Sequence, residues 1–427
     1  MGLFSELGLG CYLESRLVSR YEILVKENMT VNPANAPGIK ALANHRQAWS
    51  STQATWRFLH NEKATLPMLS SPLVGLARSS VRQSSGKYVL SAYDWSRVNY
   101  SRHPSKGDKT QMSHERDVGY ELQASLLIDS RNGHPLAPLG MNLRTEDGLY
   151  QCREVEVQPE QPHLTQLLEM VEWQESLRLS KTLVHIVDRE ADSASHLREL
   201  SQGCLWLTRS KKGSTLWHDG RFKTLDEIGK KLTQEPVDTV TIRGKEGLLF
   251  VAETEVTLQR KSEKTIDEPP KARMVLSLVT DIHGKELARW YLLTNVWDVS
   301  ATEIATWYCW RWNIESWFKL LKSDGFQMEK WQQTTGKAIF RRLIVSSMAC
   351  TMALRLYNDE SEGSQALKLF LVKLSGRVTK RSKPVTLPAL LAGLWLFIQM
   401  SEVMVSYSAE EILGFQRIAS SYFGQLV

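Results

Sequence analysis

The chain has 427 residues, of which 42% are hydrophobic, so it is long enough for two to four domains and too apolar to be disordered over most of its length. A net charge of +6 suits a polyanionic partner but does not establish one. Five scattered cysteines without a CxxC pair argue against a disulfide framework or a zinc module, and they favour a reducing cytoplasm.

The first 65 residues are predicted to be helical. Apolar residues recur at helical spacing from Glu14 to Val25, and Trp49, Thr52 and Trp56 stand at i, i+3 and i+7. The opening residues lack a basic segment followed by an apolar stretch, so no signal peptide is predicted.

Four strands are predicted next, and two of them lead into an aspartate. Asp94 ends the first strand, where such a residue taken alone is more often a turn or cap residue. Asp188 directly follows the last strand, at the carboxyl end of a buried run, where sites gather in α/β proteins. A short helix from Ser193 to Leu200 follows, with Asp192 or Ser193 as its N-cap. The predicted strands are Gly86 to Asp94, Val118 to Ile128, Leu136 to Leu143 and Leu183 to Val187, with a hairpin turn at Asp129–Gly133.

Alternating segments from about residue 210 to residue 294 predict a β-meander, so the order of elements indicates a mixed α/β core interrupted by an inserted sheet. From Ser300 onward the pattern is helical. The longest apolar run, Leu387 to Ile398, is broken by Pro388 and Gly393. It is too short to span a bilayer and is predicted to be a buried helix.

The segment from Thr302 to Lys322 carries the most informative pattern. At about 100° per residue, one face of this helix carries an apolar stripe directed at a core. Another face carries one glutamate among basic and phenolic side chains, which is either a solvated face with charge pairs such as Glu315–Lys319 or a metal-binding carboxylate flanked by phosphate-binding groups. The apolar stripe is Trp307, Trp310, Ile314, Trp317, Phe318 and Leu321, and the polar face is Tyr308, Arg311, Glu315, Lys319 and Lys322.

The polar face has the spacing Y-x2-R-x3-E-x6-K, which matches the Y-R-E-K signature of bacterial cut-and-paste transposases. Four further stretches match in the same order, namely ATWRFLHN, YVLSAYDWS, HIVDREAD and WYLLT. On these motifs the chain resembles a DDE transposase of insertion-sequence family four, similar in layout to the transposon-five-type enzyme. The resemblance covers roughly residues 45 to 325 and is loose at both ends.

The resemblance implies a ribonuclease-H-like α/β core, interrupted by a β-rich insertion and flanked by helical N- and C-terminal regions. It implies that Asp94, Asp188 and Glu315 are catalytic and hold two Mg²⁺ ions per active site, with Mn²⁺ able to substitute. Hard cations of this kind prefer carboxylate oxygens. Glu190 and Asp192 also lie in the loop after the last strand, and we interpret them as a structural residue and a helix cap.

DNA contacts are also implied by the resemblance. Trp290 matches a residue that stacks a flipped base beside a hairpin intermediate, although without that match it would be interpreted as core. Where family members can carry two adjacent tryptophans, this chain has Tyr120 and Glu121, which puts a stacking role there in doubt. The expected DNA-binding residues are Arg209, Trp290, Tyr308, Arg311, Trp312, Lys319 and Lys322.

Both ends of the chain leave two interpretations open. The N-terminal helices either read the transposon end or form a helical packing subdomain. The basic loop from Gly376 to Pro384 is either a DNA contact or a solvated linker, and the C-terminal helices are candidates for dimerisation. The basic and aromatic residues concerned are Arg16, Arg20, Lys26, Arg46, Trp49 and Arg57 at the N-terminus and Arg377, Lys380, Arg381 and Lys383 in the loop.

Taken together, these patterns predict a cytoplasmic, nucleoid-associated transposase that cleaves transposon ends and joins them to target DNA by two-metal phosphoryl transfer through a hairpin intermediate. Its partners are double-stranded DNA, as terminal inverted repeats and target, and a second copy in the DNA complex, with no membrane. A ribonuclease-H-like nuclease and a non-catalytic DNA-binding inhibitor of transposition are the alternatives. The predicted regions are 1–65 (end binding), 66–209 (core, first part), 210–299 (β-rich insertion), 300–370 (core, second part) and 371–427 (helical, dimerisation).

Overall fold

The computed structural model describes residue 4 and residues 12–29, 48–189, 193–242, 245–261, 268–378 and 385–423. By their contacts these residues form two compact units. The sheet unit contains Leu66–Phe318, and the helical unit contains Tyr12–Thr65 together with Lys319–Val427. The five functional regions predicted from the sequence stay a prediction.

A thirteen-stranded mixed sheet organises the described part of the sheet unit. Its strands are β1 (Tyr88–Asn99), β2 (Thr110–Gln111), β3 (Val118–Asp129), β4 (Pro135–Thr145), β5 (Gly148–Gln151), β6 (Thr182–Val187), β7 (Leu205–Ser210), β8 (Thr215–His218), β9 (Arg221–Thr224), β10 (Glu235–Ile242), β11 (Lys245–Thr257), β12 (Lys271–Thr280) and β13 (Glu286–Thr294). They run in the order β5-β4-β3-β1-β6-β7-β13-β12-β11-β8-β9, with β2 beside β3 and β10 beside β11. The mixed α/β class with a large mixed sheet and C-terminal helices is therefore confirmed.

The middle of the sheet is parallel because β1 pairs in parallel with β6, and β6 with β7. Strand β6 and the first half of β1 are apolar and almost fully buried, as expected for strands covered on both faces. The predicted hairpin is confirmed, since β3 and β4 pair antiparallel across the turn at Asp129–Gly133. The turn between β3 and β4 also contacts Trp310 and Asn313, which lie in the helical segment of the candidate site.

The strands predicted from residue 210 to residue 294 are present, but they do not form a separate sheet. Strand β13 pairs antiparallel with β7, with Leu292 opposite Arg209, so the insertion continues the sheet that β1 and β6 begin. The inserted strands join this sheet because the outer edge of β7 would otherwise present unpaired N–H and C=O groups. The inserted segment returns through β13 to cover that edge.

The helices lie before, between and after the strands. In the sheet unit they are α3 (Leu66–Gln83), α4 (His163–Ser176), α5 (Ala194–Leu200), α6 (Leu225–Gly229), α7 (Ala301–Trp310) and most of α8 (Trp312–Lys319). The helical unit contains α1 (Ser15–Met29), α2 (Ala48–Leu59), a π-helical turn (Leu320–Asp324), a short 3-10 helix (Met328–Lys330), α9 (Gly336–Asn358), α10 (Glu362–Leu374), α11 (Leu387–Ser406) and α12 (Ala409–Phe423). Helix α9 is buried on all sides over most of its length, which makes it the centre of the helical unit.

The prediction of a short, buried helix from Leu387 to Ile398 is wrong. Helix α11 continues to Ser406, and its buried residues are confined to the first turns. Neither predicted breaker ends the helix: Pro388 stands in the first turn, where it is tolerated, and Gly393 lies where a Cβ would be 1.8 Å from the carbonyl oxygen of Leu371 in α10. Gly393 therefore permits close helix packing instead of a break.

Helix α11 is also the one helix among the described residues that is long and apolar enough to cross a membrane, with a mean hydropathy of 1.6 and 22% of that window buried. Length and composition are weak evidence on their own, because core helices of other proteins pass the same test.

Candidate active site

The register of the sheet places Asp94 beside Asp188. Strand β1 pairs with β6 as far as Ala92 opposite Ile186, and two further residues in that register bring the two aspartates level. They point to the same face because side chains alternate along a strand. The prediction that Asp94 ends its strand is wrong, since β1 continues to Asn99 against β3. It is β6 that ends here, at Val187, directly before Asp188.

The segment predicted as one helix consists of α7 and α8, which meet at Arg311. This residue keeps a helical backbone (φ −50°, ψ −31°), but the local hydrogen bonds are tighter than in an α-helix. The amide of Arg311 donates to the Tyr308 carbonyl at 3.2 Å, and the amide of Ile314 donates to the Arg311 carbonyl at 3.1 Å. The turn keeps Tyr308, Arg311 and Glu315 on one side, as the sequence predicts.

The predicted apolar stripe of this segment is buried, apart from the half-buried Trp310. Helix α7 begins with a capping box between Ser300 and Glu303, which fixes its first turn. Trp310 packs against the turn between β3 and β4, where Gly133 has φ +74° and a Cβ would be 2.7 Å from the indole. The side-chain amide of Asn313 donates to the Gly133 carbonyl at 2.9 Å. The β3–β4 turn therefore sets the position of α7 and α8.

Three carboxylates meet on the guanidinium of Arg311. Its Nη1 lies 3.4 Å from Oδ2 of Asp94, and its Nη2 lies 3.3 Å from Oδ2 of Asp188 and 3.0 Å from Oε1 of Glu315. The side chain of Arg311 is 4% exposed, whereas the three carboxylates are 26%, 31% and 34% exposed. Residues far apart in the sequence thus form one cluster that solvent reaches from the carboxylate side. We call it the carboxylate cluster.

Burial and charge act in opposite directions in this cluster. Burial raises the pKa of Asp94, while the charge of Arg311 and the amide of Trp95 lower it, and the net shift is upward. Burial lowers the pKa of Arg311, but the surrounding negative groups more than offset this and raise it above its usual value. Arg311 therefore stays cationic and neutralises part of the carboxylate charge.

The donor set of the carboxylate cluster suits a hard divalent cation. All three potential ligands are carboxylates, and each keeps about a third of its side chain open to solvent. Nε of Arg311 is buried without a hydrogen-bond partner among the described residues, and Nη1 approaches Asp94 without hydrogen-bond geometry. The guanidinium thus acts on Asp94 through its charge, while its Nη2 also donates hydrogen bonds to Asp188 and Glu315. Glu190 and Asp192, the other carboxylates of the predicted motif, lie outside the described residues.

Tyr308, Trp290 and Arg209 lie beside Asp188. The Tyr308 hydroxyl donates to Oδ1 of Asp188 at 3.2 Å, and Nη1 of Arg209 lies 3.9 Å from the same oxygen. The Trp290 ring packs edge-on against Tyr308 with 5.1 Å between centroids and is 5% exposed. In this arrangement both aromatic rings are covered, so base stacking by Trp290 and phosphate binding by Tyr308 stay predictions.

A cavity of about 500 Å³ adjoins the carboxylate cluster on the side of the inserted strands. Five of its lining residues are basic and two are acidic. Both acids are engaged locally, since Asp226 accepts from the Tyr291 hydroxyl at 2.8 Å and Glu286 pairs with Arg289 at 2.9 Å. We call it the basic cavity, and it is lined by Arg189, Arg209, Ser210, Lys211, Lys212, Asp226, Glu286, Arg289 and Tyr291.

Of these residues, only Arg209 was predicted from the sequence as a DNA contact. Arg189 and Arg289 directly follow and precede two predicted site residues, Asp188 and Trp290, and that adjacency was the available signal. Adjacency in the sequence does not suffice to predict a DNA contact, because neighbouring side chains on a strand point to opposite faces. Only the structure shows which of them line the basic cavity.

The remaining predicted DNA contacts lie in or just after α8. Trp312 is the half-buried first residue of α8, and Lys319 is its exposed last residue. Lys322 lies in the π-helical turn, where its Nζ is 3.6 Å from Oε1 of Glu329. Lys319 and Lys322 belong to the helical unit. Their DNA-binding role stays a prediction.

Tyr120 and Glu121, the two hairpin positions whose stacking role the sequence left in doubt, have a structural role here. Tyr120 is fully buried and donates to Asp108. Glu121 accepts from Nε2 of His163 at 2.9 Å and lies 3.3 Å from Nε of Arg144. Tyr120 therefore offers no ring for stacking, and the negative charge of Glu121 is compensated within the protein.

The terminal candidates are only partly described. Arg16, Lys26 and Arg57 are exposed, and Trp56 is 57% exposed with its ring stacked on His60. These exposures suit either interpretation of the N-terminal helices. Arg377 is exposed, while Arg46, Lys380, Arg381, Lys383 and the side chain of Trp49 lie outside the described residues.

Comparison with known proteins gives one family match. Residues 85–352, which are more than half of the chain, match the family described as "Transposase DDE domain". No curated protein sequence matches the chain significantly. The matched range contains Asp94, Asp188 and Glu315.

Proposed function

Because the chain belongs to the transposase DDE family, a catalytic family whose activity is DNA transposition, we propose that it cleaves transposon ends and joins them to target DNA. The observation that supports this proposal best is the carboxylate cluster. Its three acidic residues come from β1, from the end of β6 and from α8, and all three contact one guanidinium. The finer assignment to insertion-sequence family four rests on the sequence motifs.

The strand order supports a ribonuclease-H-like core. Strands β4, β3 and β1 are mutually antiparallel neighbours, and β1, β6 and β7 are parallel neighbours. Both aspartates lie at the junction of these two halves, beside the end of β6. The inserted strands extend the same sheet from β7 outwards.

Members of the family use divalent metal ions. We propose that Asp94, Asp188 and Glu315 hold two Mg²⁺ ions, for which Mn²⁺ can substitute. When bound, such ions activate the attacking oxygen and stabilise the leaving oxygen of a phosphodiester. The protein itself supplies three carboxylates at fixed positions, and Arg311 balances their charge. Tyr308 orients Asp188 through its hydroxyl hydrogen bond.

DNA would approach over the basic cavity. Arg209 and Arg189 connect this cavity to Asp188, so a backbone phosphate bound there would lie next to the carboxylate cluster. Trp290, Tyr308 and Trp312 are proposed to contact the cleaved end, with Trp290 stacking a base while a hairpin intermediate forms. Lys319 and Lys322 are proposed phosphate contacts.

The proposal includes a homodimer in the DNA complex. Helices α11 and α12 carry large apolar side chains on their exposed surface, which is unusual for residues that face only water. These exposed residues include Met404, Val405, Phe415, Ile418 and Tyr422. A second copy of the chain is the proposed occupant of this surface.

The test is Glu315→Ala, assayed on a DNA fragment with the element's terminal repeats. We expect cleavage with Mg²⁺ to fall below detection while most DNA affinity remains, because the substitution removes a carboxylate and no cation. Glu255→Ala is the matched control, since Glu255 forms an exposed pair with Lys271 on β11 and β12. Normal cleavage by the Glu315 variant would contradict the site assignment.

Adding a pre-cut end and target DNA to this assay separates the two alternatives. A transposase joins a pre-cut end to target DNA, whereas a nuclease cleaves without joining. A non-catalytic inhibitor binds the ends without either reaction.

A further inference from the structure

A second group of potential metal ligands lies on the opposite face of the central strands. Asp94 and Asp188 face the carboxylate cluster, so Tyr93 and His185 point to the other side of β1 and β6. There His185 meets Glu175 near the end of α4 and Cys204 just before β7. One nitrogen, one carboxylate oxygen and one sulfur lie within 4.8 Å of one another.

The imidazole of His185 is fully buried and held at both nitrogens. The Tyr93 hydroxyl lies 2.7 Å from Nδ1, and Oε1 of Glu175 lies 2.8 Å from Nε2. If Nδ1 carries the proton and donates to the Tyr93 oxygen, the Nε2 lone pair faces Glu175 and Cys204. An imidazole oriented by a hydrogen bond at its far nitrogen is the usual arrangement for a metal-binding histidine.

The backbone around Cys204 is also fixed. The side-chain amide of Asn295 donates to the Cys204 carbonyl at 2.8 Å and accepts from the amide of Trp206 at 2.8 Å. The main chain at Cys204 therefore has a defined position beside β6.

The charge around this thiol favours a cation. Burial raises the pKa of Cys204 to about 11, and the negative charges of Glu175 and Glu172 raise it as well. The Glu175 side chain is 39% exposed and Cys204 is half-buried, so an ion can enter from solvent.

We propose that Glu175, His185 and Cys204 bind a divalent cation of the zinc class, at a site separate from the carboxylate cluster. A thiolate, an imidazole and a carboxylate together suit a borderline-soft ion, and Zn²⁺ commonly takes three such protein ligands and one water. Hard ions such as Mg²⁺ avoid sulfur and nitrogen ligands, so the two sites differ in the ion they select.

Binding requires a small local adjustment. Two ligands on one tetrahedral zinc ion stand ~3.3 Å apart, so Oε1 of Glu175 must withdraw slightly from Nε2 of His185. The exposed end of Glu175 permits this movement. The Cys204 thiol releases its proton to solvent as the sulfur–metal bond forms, and an Nε2 proton, where present, is released in the same way.

A bound ion would connect α4, β6 and the segment leading into β7. Two of these elements flank Asp188, which directly follows β6. A bound ion would therefore stabilise the strands that hold Asp188, from the face of the sheet opposite the carboxylate cluster. This inference does not rest on the proposed transposase activity.

The experiment is a titration of the chelator-treated protein with Co²⁺ in excess Mg²⁺. We expect about one equivalent of Co²⁺ to produce a thiolate-to-cobalt charge-transfer band, and Zn²⁺ to remove that band by displacement. The band should disappear in Cys204→Ser and persist in Cys350→Ala, since Cys350 lies in α9 of the helical unit. It should also persist in Glu315→Ala, which alters only the carboxylate cluster.

Two further variants guard against misfolding. Glu175→Gln changes a partly exposed side chain and should weaken Co²⁺ binding at least tenfold, and Tyr93→Phe should weaken it about 10- to 100-fold through the orientation of His185. Circular dichroism and metal-free thermal unfolding verify that each variant is folded. The proposal fails if the wild-type protein gives no thiolate band, if Cys204→Ser keeps the band, or if folded Glu175→Gln binds Co²⁺ as tightly as wild type.

Discussion

At the scale of single residues, Arg311 has the largest set of charged neighbours in the candidate site. Its guanidinium contacts Asp94, Asp188 and Glu315, and the side chain is 4% exposed. A buried cation surrounded by three anions stabilises their proximity, whereas the same anions without it repel one another. Arg311 is therefore both a proposed DNA contact and a counter-charge inside the protein.

Arg311→Ala should destabilise the fold in metal-free buffer. Breaking a buried ion pair costs about 3–5 kcal/mol, and screening of the partly exposed carboxylates reduces our expectation to about 2 kcal/mol. Saturating Mg²⁺ should recover part of the loss, because a bound cation replaces the lost charge. The measurement is urea unfolding with and without Mg²⁺.

Arg289→Ala serves as the control for this prediction, because its pair with the half-exposed Glu286 contributes only about 0–1 kcal/mol. An equal Mg²⁺ recovery in both variants, or no loss on removing Arg311, would contradict the internal role of its charge.

The sequence predicts part of this site and misses the rest for geometric reasons. Helical spacing is sufficient to place Tyr308, Arg311 and Glu315 on one face. It does not reveal what stands opposite that face, so the contact of Arg311 with Asp94 and Asp188 could not be inferred. The grouping of Glu175, His185 and Cys204 has no short spacing at all, because three separate elements supply it.

At the scale of elements, the β3–β4 hairpin shows how one strand residue affects the response to acid. Burial raises the pKa of Glu121, but the hydrogen bond and charge of His163 and the charge of Arg144 lower it below the usual value of 4.5. A lowered carboxyl pKa stabilises the fold above pH 4.5, and this contribution is lost as the pH falls through the lower, folded-state value.

We therefore expect Glu121→Gln to be less stable than wild type near neutral pH by about 2 kcal/mol, the scale of a hydrogen bond to a charged group. The difference should shrink as the pH falls below 4.5, because wild-type Glu121 becomes protonated there. Urea unfolding of both proteins over a pH series measures this. A constant difference down to acid unfolding would show that the ionised pair does not matter.

The turn between the same two strands controls the helix that carries Glu315. Gly133→Ala should displace Trp310, because a Cβ there would lie 2.7 Å from the indole at a φ of +74°. We expect lower thermal stability and at least a tenfold loss of cleavage, since small misplacements of a catalytic group are costly.

Gly284→Ala is the matched control for Gly133→Ala. Gly284 has a similar φ of +78° but no atom within 4 Å of the added Cβ. Gly284→Ala should show only backbone strain, with cleavage retained. Equal loss of cleavage in the two variants would mean that the contact with Trp310 is unimportant.

Element boundaries were predictable where one signal dominates. The alternation in β3 and β4 and the apolar run of β6 correctly predict three strands. The extension of β1 past Asp94 was missed because its later residues are less apolar and are held by pairing with β3. The full length of α11 was missed because Pro388 and Gly393 resemble helix breakers in sequence alone.

At the scale of the whole molecule, the basic cavity makes a prediction about DNA binding. Replacing both Lys212 and Arg289 by alanine should weaken binding of duplex DNA and lower the steepness of its salt dependence. Each lost phosphate contact reduces the slope of log affinity against log salt by about 0.9. Fluorescence anisotropy over a salt series measures both quantities.

The control for this prediction is Lys87→Ala with Lys271→Ala, which removes the same charge from exposed pairs with Asp298 and Glu255, neither of which lines the cavity. If the control lowers the slope as much as the cavity variant, general charge and not the cavity governs binding.

The continuity of the sheet was the main feature of the whole fold that the sequence did not reveal. Local patterns correctly indicated strands between residues 210 and 294, but pairing between β7 and β13 joins segments that are distant in the chain. Such pairing depends on which strand edge is left open after the centre of the sheet forms, and no local pattern records it.

The order of the site residues along the chain has a consequence for synthesis on the ribosome. The chain emerges N-terminus first, so β1, β6 and both aspartates are available while Arg311 and Glu315 are still to be translated. A nascent chain therefore carries two neighbouring anions without their guanidinium, and under the proposed function it stays inactive until α8 has been translated. A product terminated before Glu315 would keep the residues of the basic cavity and lack the third carboxylate. Under the proposed function, premature termination would thus turn an enzyme that cuts DNA into a product that competes for DNA without cutting it.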